Sequence, residues 1–248
     1  MTLVLAVACQ DAIVMAADSA ATFPEGIKQP TVKIRPLGNV MLWGASGHEG
    51  MIQDIEIALT QGRSPESYMK SAQHCRKQLR QVLKPVYQAW KDYQVPIPPP
   101  PYNQWQTAHL LFVGFLDGKP RIIEVEPNLA IGQMEDYGHH AIGSAAQIAQ
   151  ARMYPHRQRY PTLDWGKVIA YRTMKEAIDI AASGVAEPIH LWSIEPPAVP
   201  GAFPRISKVT DRELRRIEYG IEEWRAREDD AFQLPAIPPS QPDEPQQN

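Results

Sequence analysis

TLVLAVACQDAIVMAADSAATFPEGIKQPTVKIRPLGNVMLWGASG, residues 2–47, is the stretch on which the fold turns. Residues 3–9 and 12–17 are near-continuous apolar runs parted only by Gln10 and Asp11, the pattern of two strands joined in a tight hairpin. Neither run alternates polar with apolar. Both faces of these strands are therefore expected to be covered, as in a sheet lying between a second sheet and a layer of helices. Residues 32–34 and 40–44 read as a second hairpin, turning at 36–39.

The same stretch opens on Thr2, directly behind Met1. Initiator methionine is normally trimmed ahead of a small side chain, and trimming would leave a threonine at the chain end. Such a residue carries a hydroxyl nucleophile and, on its own backbone, an amine able to take the hydroxyl proton. The ordinary pKa of that amine, roughly 7.7–8.0, falls beside a cation and leaves more of it neutral and basic. Lys33 is placed to be that cation, and Asp18, just past the second run, to keep it charged and oriented. Taken singly, each has an ordinary reading: a chain start, a strand-end carboxylate, an edge lysine. Their order and spacing point to chemistry.

The series T-x-V-x-A-V, D-A-I-V-M-A-A-D-S-x-A-T, V-K-I and W-G-A-S-G resembles the start of a proteasome-type N-terminal nucleophile (Ntn) hydrolase, as in proteasome core β-subunits, HslV and the other bacterial proteasome homologues. The resemblance extends over roughly 2–209. It implies an α+β fold, a four-layer α-β-β-α sandwich. It implies threonine-type peptide hydrolysis with Thr2, Asp18 and Lys33 at the centre and the Gly44 backbone N–H as oxyanion donor. A serine at the Gly143-Ser144 junction would lie beside the threonine amine, although Ser144 also reads as a helix N-cap. Ser183 matches a further serine only loosely. The acidic residue expected three positions before it is Ile180, and Asp179 is one position off. By position, Ala21, Leu42 and Ser46 are expected to shape the substrate pocket, favouring an apolar side chain. The resemblance further implies polypeptide substrates, a ring-forming homo-oligomer, an unfolding ATPase as a partner, a cytoplasmic setting and no cofactor. Two alternatives stand beside this: an inactive structural ring subunit, and an amidohydrolase acting on a small amide.

Composition narrows the classes. The chain has 248 residues and a net charge of −3 without a strong basic cluster, so nucleic acid and anionic membrane are unexpected partners. No run approaches the roughly 18 apolar residues of a membrane span. A signal peptide is not expected, because the apolar start lacks a basic leader and breaks at Gln10-Asp11; no propeptide is expected ahead of Thr2. Cys9 and Cys75, in an expected strand and an expected helix, read as free buried thiols of a reducing compartment. Metal binding is not expected. His139 and His140 would point to opposite faces of a strand, which makes them poor joint ligands with His48.

Farther along, residues 48–59 carry apolar side chains at helical spacing and end at Gly62. Ser64-Pro65-Glu66 reads as the N-cap of a long helix whose apolar stripe runs from Tyr68 to Trp90 and which Pro85 should kink. Residues 94–105 are proline-rich and expected as a surface loop. Strands at 109–116 and 121–126 should join through the Asp117-Gly118 turn. A strand at 137–142, a helix after Ser144, a helix capped by Asp164, and strands at 188–194 and 203–209 follow. Thr210 to Glu213 forms a capping box opening a peripheral helix, 210–230. One domain, 2–230, is expected, with a disordered Pro- and Gln-rich tail at 231–248.

Overall fold

The computed structural model describes residues 2–22, 28–61, 64–92, 107–156, 160–180, 185–199 and 201–231. The first apolar runs form β1 (Leu3–Ala8) and β2 (Ile13–Ala17), paired antiparallel from Val4↔Ala17 to Ala8↔Ile13. Beyond them come β3 (Ala20–Thr22), β4 (Lys28–Pro30), β5 (Ile34–Leu37) and β6 (Met41–Gly47). Then follow α1 (Glu49–Gln61), α2 (Ala72–Asp92), β7 (Ala108–Leu116), β8 (Lys119–Val125), β9 (Ile131–Gln133) and β10 (His139–Gly143). The described chain ends with α3 (Ala146–Met153), α4 (Leu163–Ile180), β11 (His190–Glu195), β12 (Arg205–Lys208) and α5 (Asp211–Ala231).

These elements make an α+β fold with two five-stranded antiparallel sheets, ordered β10-β1-β2-β11-β12 and β5-β6-β7-β8-β9, a two-stranded ribbon β3-β4, and five α-helices among the described residues. The unbroken apolar runs are explained by what lies on each face. Leu3, Leu5 and Val7 of β1 pack with Met153 of α3, Ile169 and Met174 of α4 and Ile221 of α5. Val4, Ala6 and Ala8 point the other way, onto Leu42 of β6, Leu111 and Val113 of β7 and Ile122 of β8. The far face of the second sheet, with Met41, Trp43, Leu110 and Phe112, is covered by Ile55 and Leu59 of α1 and Leu79 and Leu83 of α2. Alternate residues thus meet different apolar surfaces, so no strand position in this hairpin needs to be polar.

The structure corrects several sequence expectations. Pro36 lies within β5, opposite Leu42, rather than in the turn; β5 is an edge strand, where a missing N–H costs no ladder bond. Ser64 caps nothing with its side chain, and Pro65–Met69 forms a separate 3-10 turn. The long helix instead starts after Ser71, whose Oγ accepts from the His74 N–H at 3.1 Å. Asp164 lies inside α4, and the hydroxyl of Thr162 accepts from the Trp165 N–H. Tyr137 belongs to a 3-10 turn rather than a strand. The Asp117-Gly118 turn forms as expected, both residues having positive φ, and so does the Thr210 cap. The proline-rich segment 94–105, Gly62, Ser183 and the tail beyond 231 lie outside the described residues.

Candidate active site

Asp18 follows β2 and is completely buried, a location a carboxylate tolerates only when its oxygens are occupied. Four donors serve it. Oδ1 accepts from the Leu3 N–H at 2.8 Å and from Lys33 Nζ at 2.7 Å. Oδ2 accepts from the N–H groups of Ala20, at 3.1 Å, and Ala186, at 3.4 Å. The carboxylate therefore ties the residue after Thr2, the first residue of β3 and the segment before β11 to one point. Lys33 stands just ahead of β5 and is 5% exposed; its ammonium also donates to the Ala20 carbonyl at 2.6 Å. Two of its three N–H groups are thus committed. Burial pushes the ammonium below the ordinary lysine range, with the charge and hydrogen bond of Asp18 pulling the other way.

Thr2 is held by the turn after β10. The Ser144 N–H donates to the Thr2 carbonyl at 2.9 Å, and the Thr2 nitrogen lies 3.3 Å from Ser144 Oγ, within hydrogen-bond reach. That nitrogen is an amide here, where Met1 precedes it; with Met1 removed the same atom would be the amine. Gly143, immediately before, has φ near +102°, and a Cβ on it would overlap the Thr2 carbonyl. The glycine is therefore required twice over, by conformation and by close approach. The N-cap reading of Ser144 is corrected: α3 begins at Ala146, its cap position is Ala145, and no side chain caps it.

Gly44 lies in β6 with ladder partners on both sides, Ile34 and Leu111, and a Cβ there would come within 2.8 Å of Val4 Cγ1. Its lack of a side chain lets β6 approach β1. Beyond it, Ala45, Ser46 and Gly47 pair only with β7, because β5 has ended. Ser46 Oγ lies 3.3 Å from where a Gly143 Cβ would be, which brings the second sheet up to the Thr2 turn. Of the expected pocket residues, Leu42 is fully buried in the layer between the sheets and faces no solvent. Ala21 sits in β3 opposite Gln29. Asp179 is exposed near the end of α4. Thr2, Asp18, Lys33, Ser144 and Ser46 thus gather at one end of the gap between the sheets, while Leu42 and Asp179 do not join them.

One cluster had no counterpart in the sequence reading. Glu124 of β8 receives His109 Nε2 at 2.6 Å on Oε1, and His140 Nε2 of β10 lies 3.1 Å from the same oxygen. Burial would raise this carboxyl, but the two imidazoles outweigh it and hold it down to about 2. The β7–β8 register, Leu110↔Val125, places His109 and Glu124 on a diagonal of one sheet face, so that pair was legible from the turn. His140 comes from the other sheet, and no local pattern announces it. Among the described residues, no group of three or more His, Cys, Asp or Glu side chains is arranged to hold a metal ion, and no helix is long and apolar enough to cross a membrane.

No family model matches the chain, and no curated protein sequence matches it. Solved structures do share its fold. The helical assembly of the Anbu complex from Pseudomonas aeruginosa aligns with a TM-score of 0.70 at 15% identity, covering 97% of this chain and 100% of that one. Anbu (ancestral beta-subunit) from Yersinia bercovieri aligns at 0.68 and 14% identity, covering 95% and 98%. These neighbours correct the identification drawn from the first fifty residues. The likeness is to ancestral β-subunit proteins, proteasome-like but distinct from the proteasome core β-subunits and HslV, and membership among the Ntn hydrolases does not follow from it. The physical reason lies in what those residues encode. Their apolar runs and glycines specify two hairpins and a close sheet-to-sheet approach, which any chain of this fold needs whatever its chemistry.

Proposed function

We propose that this protein is a threonine-type peptidase working in an assembly of several copies of itself, with Thr2 as nucleophile once Met1 is removed. The observation that carries the reading is the buried Lys33–Asp18 pair, at 2.7 Å, bound through Asp18 to the backbone of Leu3 beside Thr2. A buried ion pair contributes little to stability compared with apolar packing, so its position next to a candidate nucleophile invites a chemical role. In this reading the Thr2 hydroxyl attacks the carbonyl carbon of a peptide bond, and the Thr2 amine takes the hydroxyl proton and returns it to the leaving amine. Ser144 Oγ positions that amine. In this reading the third donor of Lys33 serves the hydroxyl and favours its ionised form. The Gly44 backbone N–H, at the last β6 position that pairs with β5, stabilises the oxyanion. Water then hydrolyses the ester.

The order in which the apolar clusters stack, helices, sheet, sheet, helices, supports a four-layer α-β-β-α arrangement in a single domain over 2–230. The helical assembly recorded for the Anbu complex supports an assembly of copies here. Ala21 and Ser46 are the pocket residues this reading retains, with unfolded polypeptide as substrate and an unfolding ATPase as a further partner.

Intact-mass spectrometry with a β-lactone tests it. The expected result is a chain lacking Met1 that gains one adduct on Thr2, hydrolyses fluorogenic peptides and scatters light as a multimer. Thr2→Ala should lose adduct and turnover while keeping the multimer. A native chain that retains Met1, or an adduct on Cys9 or Cys75, overturns the reading. Normal assembly with no adduct leaves the structural subunit as the better description, and an active monomer favours a small-amide hydrolase.

A further inference from the structure

Strand β10 is an edge strand. Within its sheet it pairs with β1 alone, from Leu3↔Gly143 to Val7↔His139, and its C-terminal end carries the Gly143-Ser144 turn that holds Thr2. An edge strand with one neighbour is the part of a sheet freest to shift. Besides α3, whose Gln150 side chain donates to the Ala141 carbonyl at 3.3 Å, it is attached to the other sheet. His140 projects from β10 toward Glu124 of β8, and Glu124 is held in turn by His109 of β7. Glu124 is nine-tenths buried, and among the described residues the imidazoles of His109 and His140 are the side chains that answer its charge. The strands packed about it face it with apolar or small residues: Leu111 of β7, Ile122 of β8, Gly132 of β9 and Ala6 of β1. His139, the other titratable group nearby, has its side chain on the opposite face of β10.

The cluster adjoins the candidate site by register. His109 is the cross-strand partner of Ser46, and Ser46 meets Gly143. The path from Glu124 through His109 and Ser46 returns to β10 three residues from His140. It closes a loop that sets how far the Ser144 turn stands from β6.

We propose that Glu124 is a positioning residue: by gripping His140 on one sheet and His109 on the other, it fixes edge strand β10, and with it the Ser144–Thr2 contact, against the Ser46 end of β6. This rests on the reading of Thr2 as nucleophile for its catalytic consequence, although the clamp itself does not. His140 Nε2 approaches Glu124 Oε1 off the direction of a hydrogen bond and makes none with any other described group. The grip on β10 is therefore electrostatic and depends on the carboxylate charge.

The test compares wild type, Glu124→Gln, His140→Ala and the double variant. The first readout is acylation of Thr2 by a β-lactone, followed by mass spectrometry. Each single variant should lower the maximal acylation rate on the order of a hundredfold, as a displacement of about 1 Å can, without changing the half-saturating lactone concentration. The double variant should be no slower than the singles, because one clamp is lost in all three. The second readout, hydrogen exchange, needs no activity. The peptide covering 139–146 should exchange faster in every variant while the β1–β2 hairpin keeps its protection. Should Glu124→Gln fail to fold, His140→Ala alone decides both. Unchanged exchange over 139–146, or acylation losses that add independently, overturns the clamp. Wild type that exchanges as expected but takes no label on Thr2 overturns the nucleophile reading and leaves the clamp standing.

Discussion

Asp18 and Lys33 show how strongly a buried pair constrains substitution. Asp18 has no solvent to fall back on, so removing Lys33 leaves a carboxylate with backbone donors but no counter-charge. Lys33→Ala is therefore expected to destabilise the fold by about 3–5 kcal/mol, the usual cost of orphaning a buried charge, besides abolishing turnover. Urea unfolding checks the first effect, and a midpoint equal to wild type would mean that the pair is solvated. Lys33→Met/Asp18→Asn, which removes both charges but keeps a side-chain oxygen to accept from the Leu3 N–H, should recover part of the stability with none of the activity, which separates the two roles. The thiols make a simpler case. Burial pushes both Cys9 and Cys75 up to about 12, with Asp11 adding to the rise at Cys9. Native protein at pH 8 should resist iodoacetamide, whereas urea-unfolded protein should take two labels; labelling in the native state would show that a strand or helix opens locally.

At the level of elements, small residues decide how closely layers approach. Gly166 in α4 is buried where a Cβ would overlap Cys9 Sγ, so the helix rests directly on the turn end of the β1–β2 hairpin. Gly166→Ala should destabilise by about 1–3 kcal/mol through overpacking, and Cys9→Ala in the same chain should recover part of it. A double-mutant cycle by thermal melting measures this, with additive effects speaking against the contact. Gly44→Ala should behave alike against Val4 across the sheets, since its Cβ would come within 2.8 Å. Such contacts explain the uneven legibility of the elements. The β1–β2 and β7–β8 hairpins were readable because their runs and turns are local. The helix starts were misplaced where two plausible caps competed, as with Ser64 and Ser71, since only the path of the chain chooses between them. Strand β9 and the β3–β4 ribbon are three-residue strands, too short to show a period.

For the molecule as a whole, acid should be destabilising through two groups acting in the same direction. Burial, reinforced by His140 and His156, pushes His139 from 6.5 down to about 4. As pH falls the unfolded chain takes this proton first, so the stability present above about 6.5 declines until pH passes about 4, by roughly 3 kcal/mol. Glu124, held down to about 2, contributes stability above its ordinary 4.5 that is lost as pH falls toward 2. Urea midpoints between pH 7 and 4.5 should therefore drop, and His139→Gln should flatten the slope; an equal slope in that variant would place the effect elsewhere.

Sequence alone determined the two leading hairpins and the covered faces of their strands, because strand formation and burial are written in local runs and turn residues. It also singled out Thr2, Asp18 and Lys33 as a set. Only the tertiary structure decided that Asp18 collects four donors from separate segments, that Ser144 serves Thr2 rather than a helix end, and that His140 crosses between sheets to Glu124. Those relations join residues as far as 168 positions apart, the separation of Asp18 and Ala186, and no local pattern carries information over such a span. The same limit explains the corrected family assignment: hairpin signals report the shape that many sequences share, whereas chemistry depends on which side chains the closed fold brings together.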